Sequence, residues 1–245
     1  MLELNTLYNM DCMEGMSQFP DNYFDLAIVD PEYGLGSGKP SKKPNKCVQK
    51  NGSVLNVKSP TYKHKDWDNS PAGKEYFDEL MRISKNQIIW GVNYYDYKLT
   101  GGRIVWGKMN GKSDQYDCEI AYNSMDNRTD IVYYMWSGMF QGLVVSRVFA
   151  EASRQIGNKK LNEKRIHPTQ KPVKLYKWLL EQYAQTNFKM IDTHAGSCSS
   201  VISFLDFGCD WVAFEIDKDY YTDARNRIEN HRAQSQITFA QKANS

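Results

Sequence analysis

Short, almost continuously apolar runs alternate with amphipathic stretches along most of the chain, and this alternation restricts the fold more than any other feature. The runs 25–29 (DLAIV), 87–90 (QIIW), 103–106 (RIVW), 119–122, 130–135, 189–191 (KMI) and 211–216 (WVAFEI) read as strands. Near-continuous apolarity is expected where both faces of a parallel sheet are covered. Helices fit between them. In 74–84, Phe77, Leu80, Met81 and Ser84 share one face; in 172–185, Val173, Tyr176, Leu179, Leu180 and Tyr183 recur at spacings of three and four after an opening proline. The segment 199–207 ends at Gly208, a helix C-cap, and 217–231 opens with acids and carries Tyr220, Ala224 and Ile228 on one stripe. The fold class is therefore α/β, a mostly parallel sheet with helices on both faces.

A length of 245 residues suits one large domain, or one domain with a small insertion. Lys and Arg number 31 against 29 Asp and Glu, which excludes a highly charged tail protein and a wholly disordered chain. No apolar stretch reaches the length of a membrane span, and MLELNTLYNMD has no secretory pattern, so a cytoplasmic location is expected, with no membrane partner. The five cysteines (12, 47, 118, 198 and 209) include no CxxC pair. Neither a disulfide scaffold nor a metal site is expected.

Two segments stand outside the alternation. Residues 34–65 hold eight lysines and no acid. A solvated surface loop and a functional loop are both consistent with that composition. Residues 123–165 are irregular in polarity and end in Arg154, Lys159, Lys160, Lys164 and Arg165.

Near the C-terminus, FKMID runs into the small-residue turn HAGS and then a helix, and the next strand ends in Glu215 within AFEID. A small residue lets the backbone approach a ligand, the helix start offers unpaired N–H groups, and a carboxylate at the tip of the following strand can accept ribose hydroxyls. GxGxxG is absent, which counts against NAD. A nucleoside ligand without a pyrophosphate remains, and S-adenosylmethionine fits; a plain tight turn beside a surface Glu would use the same residues.

Near the N-terminus, the strand FDLAIV ends in Asp30-Pro31-Glu32-Tyr33. Ligands bind beyond the carboxyl ends of strands in open α/β sheets, so Asp30 and Tyr33 are expected on the same edge as Gly196 and Glu215. The Asp30 carboxylate and the Pro31 carbonyl could accept the two protons of a nucleobase amine, aiming its lone pair at a methyl-sulfonium carbon. Tyr33 would stack on the base. As a bare motif, D-P-x-Y also occurs in ordinary turns.

Together these sites resemble the amino-methylating DNA methyltransferases, in the β-type order where the catalytic motif precedes the cofactor motif. Asp30-Pro31-Glu32-Tyr33 is similar to D-P-P-Y, His167-Pro-Thr-Gln-Lys-Pro172 to H-P-T-Q-K-P, and 192–200 to D-P-F-x-G-S-G-T-T. The opening YNMDC and the runs SKNQIIWGVNYY, IVW and DCEIAY look like small methylases of phages and bacterial mobile elements. The resemblance implies a Rossmann-like seven-stranded sheet, S-adenosylmethionine as donor, and a flipped base in double-stranded DNA as acceptor. Adenine N-6 is favoured because D-P-P-Y more often accompanies adenine; cytosine N-4 is the alternative, as is a DNA- or cofactor-binding relative without catalysis.

The catalytic residues so implied are Asp30, Pro31 and Tyr33. The cofactor residues are Asp11, Cys12, Asp30, His167, Thr169, Lys171, Asp192, His194, Ala195, Gly196, Ser197, Glu215 and Ile216. Asp11 would approach the adenine. Lys171 could pair with the cofactor carboxylate, or simply lie at a helix start. His167 is read as structural or cofactor-side, because the amine loses its proton readily after transfer. The sequence departs from the family pattern at Glu32, where a second Pro is expected, at Thr193 and His194 for Pro and Phe, and at Cys198 for Gly. One methyltransferase domain over 1–245 is expected, with 34–66 as a mobile lysine-rich loop that orders over DNA and 123–165 as a target-recognition insertion. About forty residues is small for that task, so a homodimer could complete it.

Overall fold

The computed structural model describes residues 1–36, 46–48, 52–56, 68–109, 116–137, 140–143 and 162–243. Eleven strands and five α-helices are described: β1 (Thr6–Tyr8), α1 (Cys12–Met16), β2 (Leu26–Val29), β3 (Lys46–Val48), β4 (Val54–Asn56), α2 (Lys74–Ile83), β5 (Gln87–Trp90), β6 (Gly102–Gly107), β7 (Cys118–Asn123), β8 (Thr129–Ser137), β9 (Phe140–Leu143), α3 (Val173–Tyr183), β10 (Lys189–Asp192), α4 (Ser199–Phe207), β11 (Asp210–Phe214) and α5 (Lys218–Ala243). Nine strands form one sheet in the order β1-β11-β10-β2-β5-β7-β6-β8-β9.

From β1 to β5 every pairing is parallel, whereas β7 is antiparallel to both its neighbours and β9 is antiparallel to β8. The expectation of a seven-stranded sheet is thus corrected to nine strands, mixed at one end. The seven expected strands recur with ends shifted by one or two residues. The additions at the two edges, β1 and β9, are only three and four residues long, too short for a periodicity to register. The ten residues that separate β6 from β7 are fewer than the about a dozen or more that a parallel crossover needs, so the chain returns antiparallel.

The strand β2 shows why the central runs are continuously apolar. Leu26 and Ile28 belong to the core under α3, α4 and α5, while Ala27 and Val29 belong to the core under α1 and α2. All four are buried, as expected for a strand covered on both faces. Burying Tyr76, Phe77, Leu80 and Ile83 fixes α2 to its face, each large apolar side chain contributing roughly 1.5–3 kcal/mol. Gly208 ends α4 in the left-handed conformation expected of a C-cap, with φ +83°. Helix α5 runs well past the expected end at 231.

The lysine-rich segment contains the β3–β4 hairpin, and 37–45, 49–51 and 57–67 lie outside the described residues. Within 123–165, residues 129–137 and 140–143 extend the main sheet; 144–161 lie outside the described residues.

Candidate active site

The carboxyl ends of β2, β10 and β11 open on one edge of the sheet, and two turns meet there. The first follows β10. Asp192 Oδ1 accepts the His194 amide at 3.0 Å, and its Oδ2 accepts the Ser200 hydroxyl from the first turn of α4. Burial pushes the Asp192 carboxyl up to about 6 against these bonds. Asp192 braces the turn and is not among the residues that line the adjoining cavity. Gly196 takes φ +49° and Cys198 φ +57°. A left-handed cysteine stands where the family pattern has glycine, which adopts that conformation without steric cost. Its side chain is fully buried and does not line the cavity.

Glu215 leaves the end of β11 and straps this turn. Its Oε2 accepts the Gly196 amide and its Oε1 the Asp217 amide, both at 2.8 Å. Burial outweighs these bonds and holds the carboxyl up to about 7, and each oxygen keeps a lone pair for a further donor. Around the same cavity stand Asp11, which caps α1 through the Met13 amide at 2.7 Å, together with Cys12 and Ile216. Ala195, Gly196, Ser197 and His194 form the turn's wall. His167 and Thr169 face them, joined Nδ1 to Oγ1 at 3.0 Å. Burial lowers His167 to about 4, so its ring is neutral at pH 7. Phe214, Tyr176 and Tyr220 complete the lining, and periodicity alone marked them only as core.

The second turn follows β2, and Asp30 borders the same cavity. Tyr33 donates its hydroxyl to Asp30 Oδ1, and the Lys171 ammonium pairs with Oδ2. Lys171 also lies 3.0 Å from Glu119 Oε2 and 3.1 Å from the Tyr33 hydroxyl, and Glu119 in turn pairs with Lys108. Burial works against the Lys171 ammonium, but Asp30 and Glu119 outweigh it and hold its pKa above the ordinary lysine value. The ammonium, expected either to pair with a cofactor carboxylate or to lie at a helix start, is held between two protein carboxylates and borders the first cavity.

Groups far along the chain hold this turn. Asp68 Oδ1 accepts the Tyr33 amide at 3.0 Å and the Gly34 amide at 2.7 Å. The Tyr95 hydroxyl donates to the Pro31 carbonyl at 3.0 Å, leaving one carbonyl lone pair for another donor. Tyr94 stacks on Tyr33 with ring centres 4.8 Å apart. Gly91 makes this possible: φ is +74°, and a Cβ there would come within 2.1 Å of the Tyr33 ring. Pro31, Tyr33, Tyr94, Trp106 and Trp136 line a second cavity that shares Asp30, Glu32 and Lys171 with the first. No local signal marked Asp68; Gly91 and Tyr95 appeared only inside a resembling run, and Glu119 only in such a run and at the start of an expected strand.

The sequence profile of the DNA methylase family matches residues 47–226. The chain belongs to the DNA methylase family. This methylase is 23% identical over 223 residues to YubD of Escherichia coli strain K12, which carries a methylase name, across 89% of this chain and 87% of YubD. Against the crystal structure of the M1.HpyAVI–SAM complex the TM-score is 0.51 at 16% identity, covering 91% of this chain and 98% of that one. That likeness establishes a shared fold, that of S-adenosylmethionine-dependent methyltransferases. The PvuII DNA methyltransferase, cytosine-N4-specific, gives a TM-score of 0.49 at 12% identity over 91% of this chain and 86% of that one. Among the described residues no helix of the methylase is long and apolar enough to cross a membrane, and no group of three His, Cys, Asp or Glu could hold a metal ion.

Proposed function

We propose that this methylase transfers the methyl group of S-adenosylmethionine to the exocyclic amine of a base flipped out of double-stranded DNA, adenine N-6 in preference to cytosine N-4. The observation that carries this reading is the position of Asp30. It borders both cavities, facing the Gly196 turn and Glu215 across the first and the aromatic walls of the second.

The residues of the first cavity suit the donor. Glu215, raised to about 7 by burial, would accept the ribose hydroxyls. Asp11 and Ile216 stand where an adenine would lie, and the Gly196 turn admits the amino-acid end. When bound, the donor supplies an electrophilic methyl carbon on a sulfonium.

On the acceptor side, Asp30 and the remaining lone pair of the Pro31 carbonyl would each take one hydrogen bond from the amine, favouring a pyramidal nitrogen. Tyr33 and Lys171 aim the Asp30 carboxylate, while Asp68 and Tyr95 fix the turn that carries it. Stacking on the Tyr33–Tyr94 platform would contribute roughly 1–3 kcal/mol to holding the base. The preference for adenine rests on the Asp that opens the D-P-x-Y turn. We assign 1–245 to one methyltransferase domain, the lysines of 34–66 to phosphate contacts, and target reading to 123–165.

Labelled donor incubated with mixed-sequence DNA, RNA and protein, followed by nucleoside analysis, tests the reading. N6-methyladenine in the DNA is expected. N4-methylcytosine would overturn the choice of base, label in RNA or protein the choice of substrate, and no label despite donor binding the enzyme itself.

A further inference from the structure

Two of the departures from the family pattern, Glu32 and His194, lie on different turns and are far apart in the chain. The fold brings them together: His194 Nε2 is 3.1 Å from Glu32 Oε2. The other ring nitrogen lies 2.9 Å from Thr193 Oγ1, which meets the Tyr76 hydroxyl at 2.6 Å, so the imidazole is held at both ends. Glu32 borders both cavities and His194 the first, which puts the pair at the boundary between donor and acceptor sides. We propose that Glu32 and His194 act together as a positioning pair that ties the acceptor turn to the donor turn and sets their separation for methyl transfer. The proposal rests on the function given above.

Each residue alone would be a liability at this place. A proline in the second position of the turn would fix its own φ; glutamate does not, and the tie to His194 supplies the missing constraint. A carboxylate buried here without a cation would hold a sulfonium in its ground state, and an imidazolium without an anion would repel it. Paired, the two are net neutral. The other titratable groups around the ring are Cys12 from α1, with Sγ 3.9 Å from Nε2, Tyr76 from α2, Asp192 at the end of β10 and Glu215 at the end of β11. Burial disfavours both charges, yet Glu32 and Cys12 hold His194 well above the ordinary histidine value and His194 holds Glu32 below the ordinary glutamate value. The contact therefore favours the ionised form of both partners.

The test uses the full chain with Glu32→Pro, His194→Phe and the double substitution, which restores the family pattern at both places. Each single change is expected to lower kcat by about tenfold or more, and the double to return to within about threefold of wild type, a coupling of the size seen for residues in direct contact. A single variant that fails to fold beside a double that folds is the same coupling read in stability. Independently, histidine NMR, with the His194 signal identified by its absence in His194→Phe, should show a ring protonated from pH 6 to 8 in wild type and neutral over that range in Glu32→Gln. Additive losses, or a His194 titration unchanged in Glu32→Gln, would overturn the pairing while leaving the proposed function standing. A wild type that methylates nothing, with the titration as expected, would instead sink that function and with it the positioning role.

Discussion

The donor turn and the acceptor turn share one sheet edge but are stabilised differently. The turn of 192–200 has a frame of its own bonds, in which Asp192 binds the His194 amide and Ser200 and the Cys198 amide donates to the Ala195 carbonyl at 2.6 Å; Glu215, the Phe214 carbonyl, Tyr76 and Arg227 then tie it to its neighbours. The turn of 30–34 is held almost wholly from outside, by Asp68, Gly91, Tyr94, Tyr95 and Lys171. A turn with a frame of its own bonds keeps more of its shape when a neighbour is lost. One propped by distant side chains transmits any loss of those props to the reacting group it presents.

Removing the central prop should have the largest effect. Lys171→Met leaves Asp30 and Glu119 buried without their shared cation and should cost about 3–5 kcal/mol, read as a fall in the urea midpoint. A loss under about 1 kcal/mol would mean that the acceptor turn stands without it. Asp30→Ala should lower methyl transfer to DNA by roughly 100- to 1,000-fold with donor affinity nearly unchanged, as for loss of one preorganised transition-state contact. A comparable fall in donor affinity would show that the two turns are not separable in this way.

On the donor side, Glu215→Ala should weaken donor binding by about 1–3 kcal/mol in calorimetry. Its pH dependence follows from burial, which raises the carboxyl from 4.5 to about 7. Between those values the folded chain binds the extra proton, so this group lowers stability as pH rises from 4.5 to 7. The ionised form accepts hydroxyls better, so donor affinity should climb through pH 7 and level off above it. In Glu215→Gln that climb should vanish. The smallest effect is expected for Cys198→Gly. Relief of a left-handed conformation, worth about 1 kcal/mol, opposes the loss of a buried thiol and the flexibility of glycine, so the urea midpoint should shift by less than about 1 kcal/mol.

The same contrast explains how far reading the chain could go. Strands such as 87–90 and helices such as 199–207 announce themselves because burial on both faces or on one stripe leaves a period in the residues. The donor turn is equally legible, since strand, small residues and helix follow one another without interruption. The acceptor motif was visible as Asp30-Pro31-Glu32-Tyr33, but Asp68 and Tyr95 lie in segments with no periodicity and contribute to the turn through two hydrogen bonds and one, respectively. The mixed end of the sheet was missed for a related reason: an antiparallel strand such as β7 has no residue pattern that separates it from a parallel one buried on both faces.

Local order along the chain was enough to establish an α/β sheet and to put an acid-tipped turn and a glycine turn at the ends of two parallel strands, because the alternation of apolar residues and the chirality of strand connections leave few other arrangements. Which way the Lys171 ammonium faces, that the Pro31 carbonyl already accepts one bond, and that Glu32 meets His194 are matters of packing between segments far apart in the chain. Such contacts depend on distances of about 3 Å between side chains, and no spacing in a linear sequence encodes them.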